Sequence, residues 1–508
     1  RMERHTNKRL MSFVKSLPCG AGPSSRKNAT ALHRGRRSSP GQQVWTACWS
    51  ALVHAGWDDM LVAWYLHHWV SKSLHSRGWI DTGKQLKALC NEVRAASLRA
   101  PCDTPPARVP AQVRECLIGL ARKQSRSGFA FTRLARGLPL PPKGDEEVAL
   151  KDAKRMAATY HPTSDSTLGM IRSYILNSVR RREFGTMPSA LPSSSSSCFE
   201  QPAAKGGVDG FLRHRGLSAL IGLQAGSLGR KTTSQLVVEK YGQFCQDSLG
   251  TYCLKVCRDN VDSYDSTSGD EPIRCLGVLD LRSERSLGKA KAVVLRSPGM
   301  KTRVIGVPDA LTFIEGTWIR WTSKLLPKKH FDPSKSEYPA SMLVNGAGTF
   351  YSLDLSKATD GLSHAVVEEV VNSLADAGAI RPSDRLAALR SLGVGPCPQM
   401  WTWEPGNEFA PRRGSPMGTP LSFIVLSWVN ACATEAFTAS VTHGDDAAGY
   451  ALTSYEIDEY RQFIASTGAS VNLSKSFRSQ TSFTLCERLY YSGHTLKRRP
   501  VAFCPPAC

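Results

Sequence analysis

Apolar residues recur at three- and four-residue spacing over 51–70, 86–98 and 168–179, the period of an amphipathic helix buried on one face. Prolines at 101, 105, 106, 139, 141 and 142 interrupt this pattern, so residues 41–187 read as a mostly helical N-terminal region. The composition then changes. Residues 188–209, with five consecutive serines from Ser193 to Ser197, have the make-up of a flexible linker. Helical spacing returns at 210–254, but 290–305 alternates cations with Val293, Val294, Leu295, Val304 and Ile305, which suits strands or an extended arm. Further on, 349–355 has strand composition and 360–375 helix spacing. An apolar helix is expected over 421–437, with Thr419 as its N-cap and Pro420 as its first residue. Two short runs, 439–441 and 447–452, flank His443-Gly444-Asp445-Asp446 as a hairpin, and 454–466 reads as helix. Strands mixed with helices place the chain in the α/β (α+β) class.

Charge narrows the partner. The 508 residues carry a formal net charge of +22. A polyanion fits best, because neutralising phosphates releases condensed counterions; a membrane surface or simple solubility are the alternatives. Residues 1–40 hold ten Lys or Arg against the single acid Glu3, a composition that reads as a basic flexible tail, either an RNA-binding arm or an organelle-targeting peptide. No stretch reaches the roughly 18 to 20 uninterrupted apolar residues of a membrane span. The fifteen cysteines are scattered and odd in number, the usage of a reduced protein rather than a disulfide scaffold. Cys245, Cys253, Cys257 and Cys275 could hold zinc in principle, but their spacing fits no strong finger pattern, and ordinary thiols are the preferred reading. The chain opens with Arg1 and stops at Cys508 soon after its last motif, as a fragment would.

The candidate chemistry lies in the second half. Adjacent carboxylates at Asp445 and Asp446 repel, a cost that makes sense if a cation compensates. Asp354, at the carboxyl end of a predicted strand, supplies an opposing carboxylate, with Asp360 six residues on. Between them and the Gly-Asp-Asp turn runs the glycine- and proline-punctuated loop 412–420, containing Gly414 and Ser415, whose backbone amides could approach an anion or sugar. Asn430 lies in the helix that follows, where a lone Asn is more often a satisfied core amide than a ligand. Lys289, Lys291, Arg296, Lys301 and Arg303 form a cationic run without acids until Asp309. Gly299-Met300-Lys301-Thr302 only superficially resembles the end of a Walker loop, since glycine and lysine are not adjacent. Gly-Asp-Asp alone would arise by chance in roughly one chain of this length in ten; the ordered set is far more specific.

In that order and wording the blocks resemble the motifs of viral RNA-dependent RNA polymerases. Residues 289–303 correspond to motif F, Asp354-Leu-Ser-Lys-Ala-Thr-Asp360 to motif A, and Gly414-Ser-Pro-Met-Gly-Thr-Pro-Leu-Ser422 with Asn430 to motif B. Gly444-Asp445-Asp446 stands for motif C, 472–476 for motif D and 483–490 for motif E. The wording of motifs A and B is most similar to ourmiavirus-like (botourmiavirus) polymerases, with narnaviruses and leviviruses as relatives. The resemblance spans 290–491 and implies a right-hand fold: fingers at 210–345, palm motif A at 346–380, a fingers insertion at 381–411, palm motifs B to E at 412–491, and the start of a truncated thumb at 492–508.

The resemblance further implies template-directed attack of an RNA 3′-hydroxyl on the α-phosphate of an NTP. Asp354 and Asp445 would hold two Mg²⁺ ions (Mn²⁺ as a substitute) about 3.5 to 4 Å apart, with Asp446 as a secondary ligand. Asp360 and Asn430, supported by Ser415, would read the ribose 2′-hydroxyl. Lys301 and Arg303, with Lys289, Lys291 and Arg296 as looser candidates and Gly414 nearby, would face triphosphate or RNA. Lys475 would protonate the leaving pyrophosphate, the alternative being a surface lysine. RNA template and product and NTPs are the implied partners, no protein partner is indicated, and the host cytoplasm is the implied location, with the mitochondrion as alternative. A reverse transcriptase and a catalytically inert RNA-binding replication protein are the competing functions.

Overall fold

Ser39 and Pro40 begin the first helix for local reasons: the Ser39 hydroxyl accepts from the Gln42 amide at 3.3 Å, and proline occupies the first turn, where no amide partner is needed. The computed structural model describes residues 39–102, 104–179, 195–214, 288–322, 326–333, 338–344, 346–380, 384–415 and 417–491. Helix α1 (Pro40–Ala55) ends at Gly56, whose left-handed φ of 67° turns the chain. The stretch 51–70, expected as one helix, is therefore two. The second, α2 (Leu61–Ser97), is itself kinked at Gly78. With α3 (Ala111–Lys123) and α4 (Ser125–Phe131) these helices enclose a core that includes Trp57, Leu66, Val70, Leu86, Leu89 and Phe131. Next come α5 (Asp145–Ala158) and α6 (Asp165–Ser178).

The alternating segment forms a hairpin, β1 (Gly288–Ser297) and β2 (Lys301–Pro308), in register from Ala290 opposite Pro308 to Ser297 opposite Lys301. β1 also pairs in parallel with β4 (Gln399–Glu404), which pairs with β5 (Asn407–Phe409), giving the order β2-β1-β4-β5. Asp309 then starts α7 (Ala310–Thr322): its buried carboxylate accepts from the Thr312 amide and hydroxyl and from the Lys289 amide. Part of the segment expected to be linker is ordered against this sheet. The Phe199 amide donates to the Pro308 carbonyl at 2.9 Å, and Gly207–His214 is helical. Residues 1–38, most of 210–254, Cys245, Cys253, Cys257, Cys275 and 492–508 lie outside the described residues.

A second sheet carries the order β6-β7-β3-β8, from β3 (Thr349–Ser356), β6 (Ala439–His443), β7 (Asp446–Ala451) and β8 (Ser470–Val471), with β9 (Phe477–Ser479) also on β3. Strand periodicity divides β3 cleanly. Leu353 and Leu355 join the core formed with α6, α8 (His364–Asp376), α9 (Arg385–Leu392), α10 (Ser422–Ala433) and α11 (Ser454–Ser466). Phe350 faces the other way, into an aromatic cluster with Tyr450, Phe483 and Tyr490 from β7, β10 (Ser482–Leu485) and β11 (Arg488–Tyr491). Asp354 shares the Phe350 side.

Three expected boundaries shift. β3 continues past Asp354 to Ser356. The helix expected from 360 is split at Leu362, and α8 starts after Ser363, whose hydroxyl accepts from the Val366 amide. Thr419 and Pro420 belong to the turn before α10, which begins at Ser422 and gives way to a 3₁₀ turn at Thr434–Ala436.

The N-terminal helices reach both sheets. At the β1–β2 tip, the Gly299 amide donates to the Leu138 carbonyl (2.6 Å) and the Met300 amide to the Pro139 carbonyl (2.8 Å). At the other end, the Leu98 carbonyl accepts from the hydroxyls of Ser479 (2.5 Å) and Ser482 (3.0 Å), beside a cluster of Leu98, Phe129, Phe477 and Leu489.

Candidate active site

Sheet register brings the carboxylates together. Asp354 of β3 stands opposite Asp446 of β7, and His443 of β6 stands opposite the same Asp446. Gly444 and Asp445 make the turn between. Gly444 has φ 59°, and a Cβ there would lie 2.5 Å from the Phe423 ring, so both conformation and space demand glycine. The turn is pinned from behind. Asn430 of α10, wholly buried, donates from Nδ2 to the Gly444 carbonyl (2.8 Å), while its Oδ1 accepts from the Tyr460 hydroxyl (2.9 Å). His443 Nδ1 bonds the Phe331 carbonyl at 2.9 Å.

Asp354 Oδ2 accepts from Lys475 Nζ (2.9 Å) and Asn472 Nδ2 (3.1 Å), and its backbone carbonyl accepts from the Asn472 amide (2.7 Å). At the other two carboxylates burial and mutual repulsion outweigh the pull of Lys475, and of Arg303 on Asp445. Burial, then repulsion from Asp354, pushes the Asp445 carboxyl up. Asp446 is pushed to about 7 by burial first, then by Asp445, Asp354 and Glu487. The set is all hard oxygen, three carboxylates against the one lysine bonded to Asp354, and so suits Mg²⁺ rather than a soft metal. In the arrangement described, the Lys475 ammonium holds the Asp354 oxygen that such an ion would use. Among the described residues no three His, Cys, Asp or Glu side chains are already gathered as a metal cage.

Asp445 opens onto a cavity of about 620 Å³ between the two sheets. Its walls include Thr302 and Arg303 of β2, the turn 357–360, Met417, Gly418 and Phe423, with Asp145 and Asp152 of α5 opposite. Burial raises the Asp360 carboxyl to about 6, against the opposing pull of Lys357 and Thr359. The loop before α10 is laced to this turn. The Ser415 amide donates to the Thr359 carbonyl and the Gly414 amide to the Leu362 carbonyl, both at 2.7 Å. Gly414, at φ 95°, approaches so closely that a Cβ would sit 2.9 Å from the Asp360 backbone carbonyl oxygen.

The structure thus brings Asp354, Asp445 and Asp446 together, with Lys475 on Asp354 and with Asp360 and Arg303 on the adjoining cavity, Gly414 packing against the Asp360 backbone. It separates others. Ser415 is buried and donates its hydroxyl to Ser422, and the Asn430 amide is spent on the turn and Tyr460, so neither side chain faces the cavity. Arg296 is held by the Pro141 carbonyl (Nε 3.1 Å) and Glu146 (3.3 Å). Lys289 and Lys291 are exposed on β1 and, like the half-buried Lys301, do not line the cavity. Two contributors escaped sequence reading. Lys357 lines the cavity in the left-handed region at φ 47°, a strained backbone for lysine. Its place between Asp354 and Asp360 was the available signal. Asn472, a ligand to Asp354, offered none beyond its nearness to Lys475.

No protein-family model matches the chain. Over 222 residues it is 25% identical to the "RNA-directed RNA polymerase" of Saccharomyces 20S RNA narnavirus, a match covering 40% of this chain and 26% of that protein. The chain therefore spans about a quarter of the length of that relative. Solved structures similar to it include the RNA-dependent RNA polymerase of a human picorbirnavirus, at TM-score 0.43 and 12% identity, covering 76% of this chain and 69% of that one. An insertion-loop deletion mutant of the same polymerase gives TM-score 0.42 and 12% identity, with 76% and 71% covered. None of these similarities distinguishes a botourmiavirus from a narnavirus affinity.

Proposed function

We propose that the chain is an RNA-dependent RNA polymerase that extends an RNA 3′-end with NTPs on an RNA template. The observation that carries the reading is the strand-paired Asp354 and Asp446, with Asp445 between them opening onto a cavity of nucleotide size. The motif order and the likeness to a narnavirus polymerase support it.

Asp354, Asp445 and Asp446 would hold Mg²⁺, which supplies charge stabilisation of the in-line transition state and lowers the pKa of the attacking hydroxyl. The protein's own work is positioning. Arg303 offers a planar guanidinium at the cavity wall, able to donate to two phosphate oxygens at once. Asp360, on the cavity wall with its carboxyl raised to about 6 by burial, can accept from a ribose hydroxyl. Lys475, once off Asp354, would stand where it can give a proton to the leaving pyrophosphate.

Primer extension with the purified chain, an RNA template and Mg²⁺ tests the proposal, with chelator as control. Magnesium-dependent, template-directed product is expected; a folded chain that binds RNA yet extends nothing would favour the inert RNA-binding reading. Equal use of NTPs and dNTPs would point instead to a reverse transcriptase-like enzyme.

A further inference from the structure

Between α7 and β3, residues 329–331 run alongside β6 and are tied to it by backbone. The Phe331 amide donates to the Thr442 carbonyl (2.7 Å) and the Thr442 amide to the Lys329 carbonyl (3.0 Å), a parallel bridge of His330 with Thr442. Lys329 secures the pair, its Nζ donating to the Ser440 hydroxyl at 2.9 Å and pairing with Glu435. Phe331 enters the aromatic cluster of Phe350, Phe483 and Tyr490. The His330 ring instead lies against His443 and Phe423, at the carboxylate turn.

These rings close a triangle. The centroids of His330 and His443 are 4.7 Å apart, those of His443 and Phe423 5.2 Å, and those of Phe423 and His330 5.9 Å. Gly444 packs on the Phe423 corner, and Phe423 also lines the cavity. The His443 ring is oriented by its bond to the Phe331 carbonyl, which can only accept, so Nδ1 carries the proton. Burial, then His443, lowers the His330 pKa to about 4, against the pull of Asp332, so this ring packs uncharged. Its Nδ1 is buried without a hydrogen-bond partner among the described residues, so what this nitrogen's side of the ring gives its neighbours is contact rather than a polar bond.

We propose that His330 is a positioning residue for the carboxylate turn: its ring holds those of His443 and Phe423, which fix Gly444 and with it the place of Asp445 relative to Asp354. Asn430 restrains the same turn through one carbonyl bond, whereas the rings restrain it by the volume they fill. The carboxylates repel one another when no cation is bound, so a turn freed of the rings would let them spread. A divalent cation would then have to draw them together first, at a cost in affinity. That the cation serves nucleotidyl transfer rests on the polymerase reading; the brace itself does not.

The test is titration of Mn²⁺ into the full chain without NTP or RNA, the free ion followed by electron paramagnetic resonance, so that binding is read without turnover. Asp445→Ala marks the share of binding that belongs to the turn. His330→Ala is expected to weaken that share about tenfold, while His330→Phe, which keeps a ring and removes the unpaired nitrogen, stays within about twofold of wild type. Phe129→Ala, which loosens the fold away from the turn, is the structural control and should also stay within about twofold. In primer extension the His330→Ala defect should appear as a raised Mg²⁺ requirement that saturating Mg²⁺ recovers. His330→Leu serves if His330→Ala fails to fold by thermal melting. Unchanged Mn²⁺ affinity in the folded variant overturns the brace, as does an equal loss in Phe129→Ala, a loss in His330→Phe as large as in His330→Ala, or no Mn²⁺ bound at the turn of wild type. The expected loss of Mn²⁺ affinity in a chain that never incorporates NTPs keeps the brace and sinks the polymerase reading. Incorporation that His330→Ala leaves unchanged at every Mg²⁺ concentration does the reverse.

Discussion

The carboxylates and the cations of the site ride on two antiparallel strand pairs that are held in opposite ways. In β3 and β7 the sheet register itself sets Asp354 opposite Asp446, and the supports (Asn430, Tyr460, Asn472, Lys475) come from the same half of the chain. In β1 and β2 the hairpin tip depends on residues far earlier in sequence: the Leu138 and Pro139 carbonyls and Lys87. The anionic half stores repulsion in a rigid frame. The cationic half is placed by docking, so it should be the more easily disturbed from a distance.

The largest effect should follow from Asp445→Ala, which removes a carboxylate from the rigid half: single-turnover NTP incorporation should fall on the order of a thousandfold, with the fold intact by thermal melting. Phe129→Ala attacks the docking instead. Phe129 is 2% exposed in the cluster with Phe477 and Leu489, and its truncation should cost about 3 to 5 kcal/mol in denaturant titration. If docking also places the cations, KM for NTP should rise in that variant more than kcat falls; a fall in kcat alone would erase the distinction between the halves.

Gly444→Ala sharpens the rigid side. It forces a side chain into the left-handed region and against the Phe423 ring, and should cost about 1 to 3 kcal/mol by thermal unfolding. Asn430→Ala leaves the Gly444 carbonyl and the Tyr460 hydroxyl unpaired, at about 1 to 3 kcal/mol. Because this amide holds the turn, NTP over dNTP selectivity should stay near wild type while kcat falls; a collapse of selectivity would instead restore Asn430 as a reader of the sugar.

Titration probes the repulsion held in the same rigid half. Asp446 has a folded pKa near 7 against an ordinary 3.8, so between those values the folded chain binds a proton that the unfolded chain does not. Stability without metal should therefore fall as pH rises from about 4 to about 7, with Asp360 adding the same sign up to about 6. Melting curves in chelator should show the slope, and Asp446→Asn should flatten it.

How far each half was legible follows from the same contrast. The Gly-Asp-Asp hairpin, the β3 strand and the alternating hairpin are local patterns, and period-two reading found them. The break at Gly56 was missed because apolar spacing continued across it, and only the left-handed φ shows the turn. Asn430 was placed with the sugar-binding residues although its burial on α10 gives it protein partners on both sides, a fact about tertiary contacts that spacing cannot carry. The role of α2 was invisible for the same reason: Lys87 is one cation among many until the fold brings Met300 to it.

The bond from Ser479 and Ser482 to the Leu98 carbonyl joins residues 381 and 384 positions apart. During synthesis the N-terminal helices emerge long before their partners and wait with the Leu98 carbonyl and the Phe129 ring uncovered. The clasp can close only after β9 and β10 have left the ribosome, and contacts so distant in sequence form slowly. The growing chain should thus pass through a stage in which the N-terminal helices are made but the tips of both sheets remain untethered.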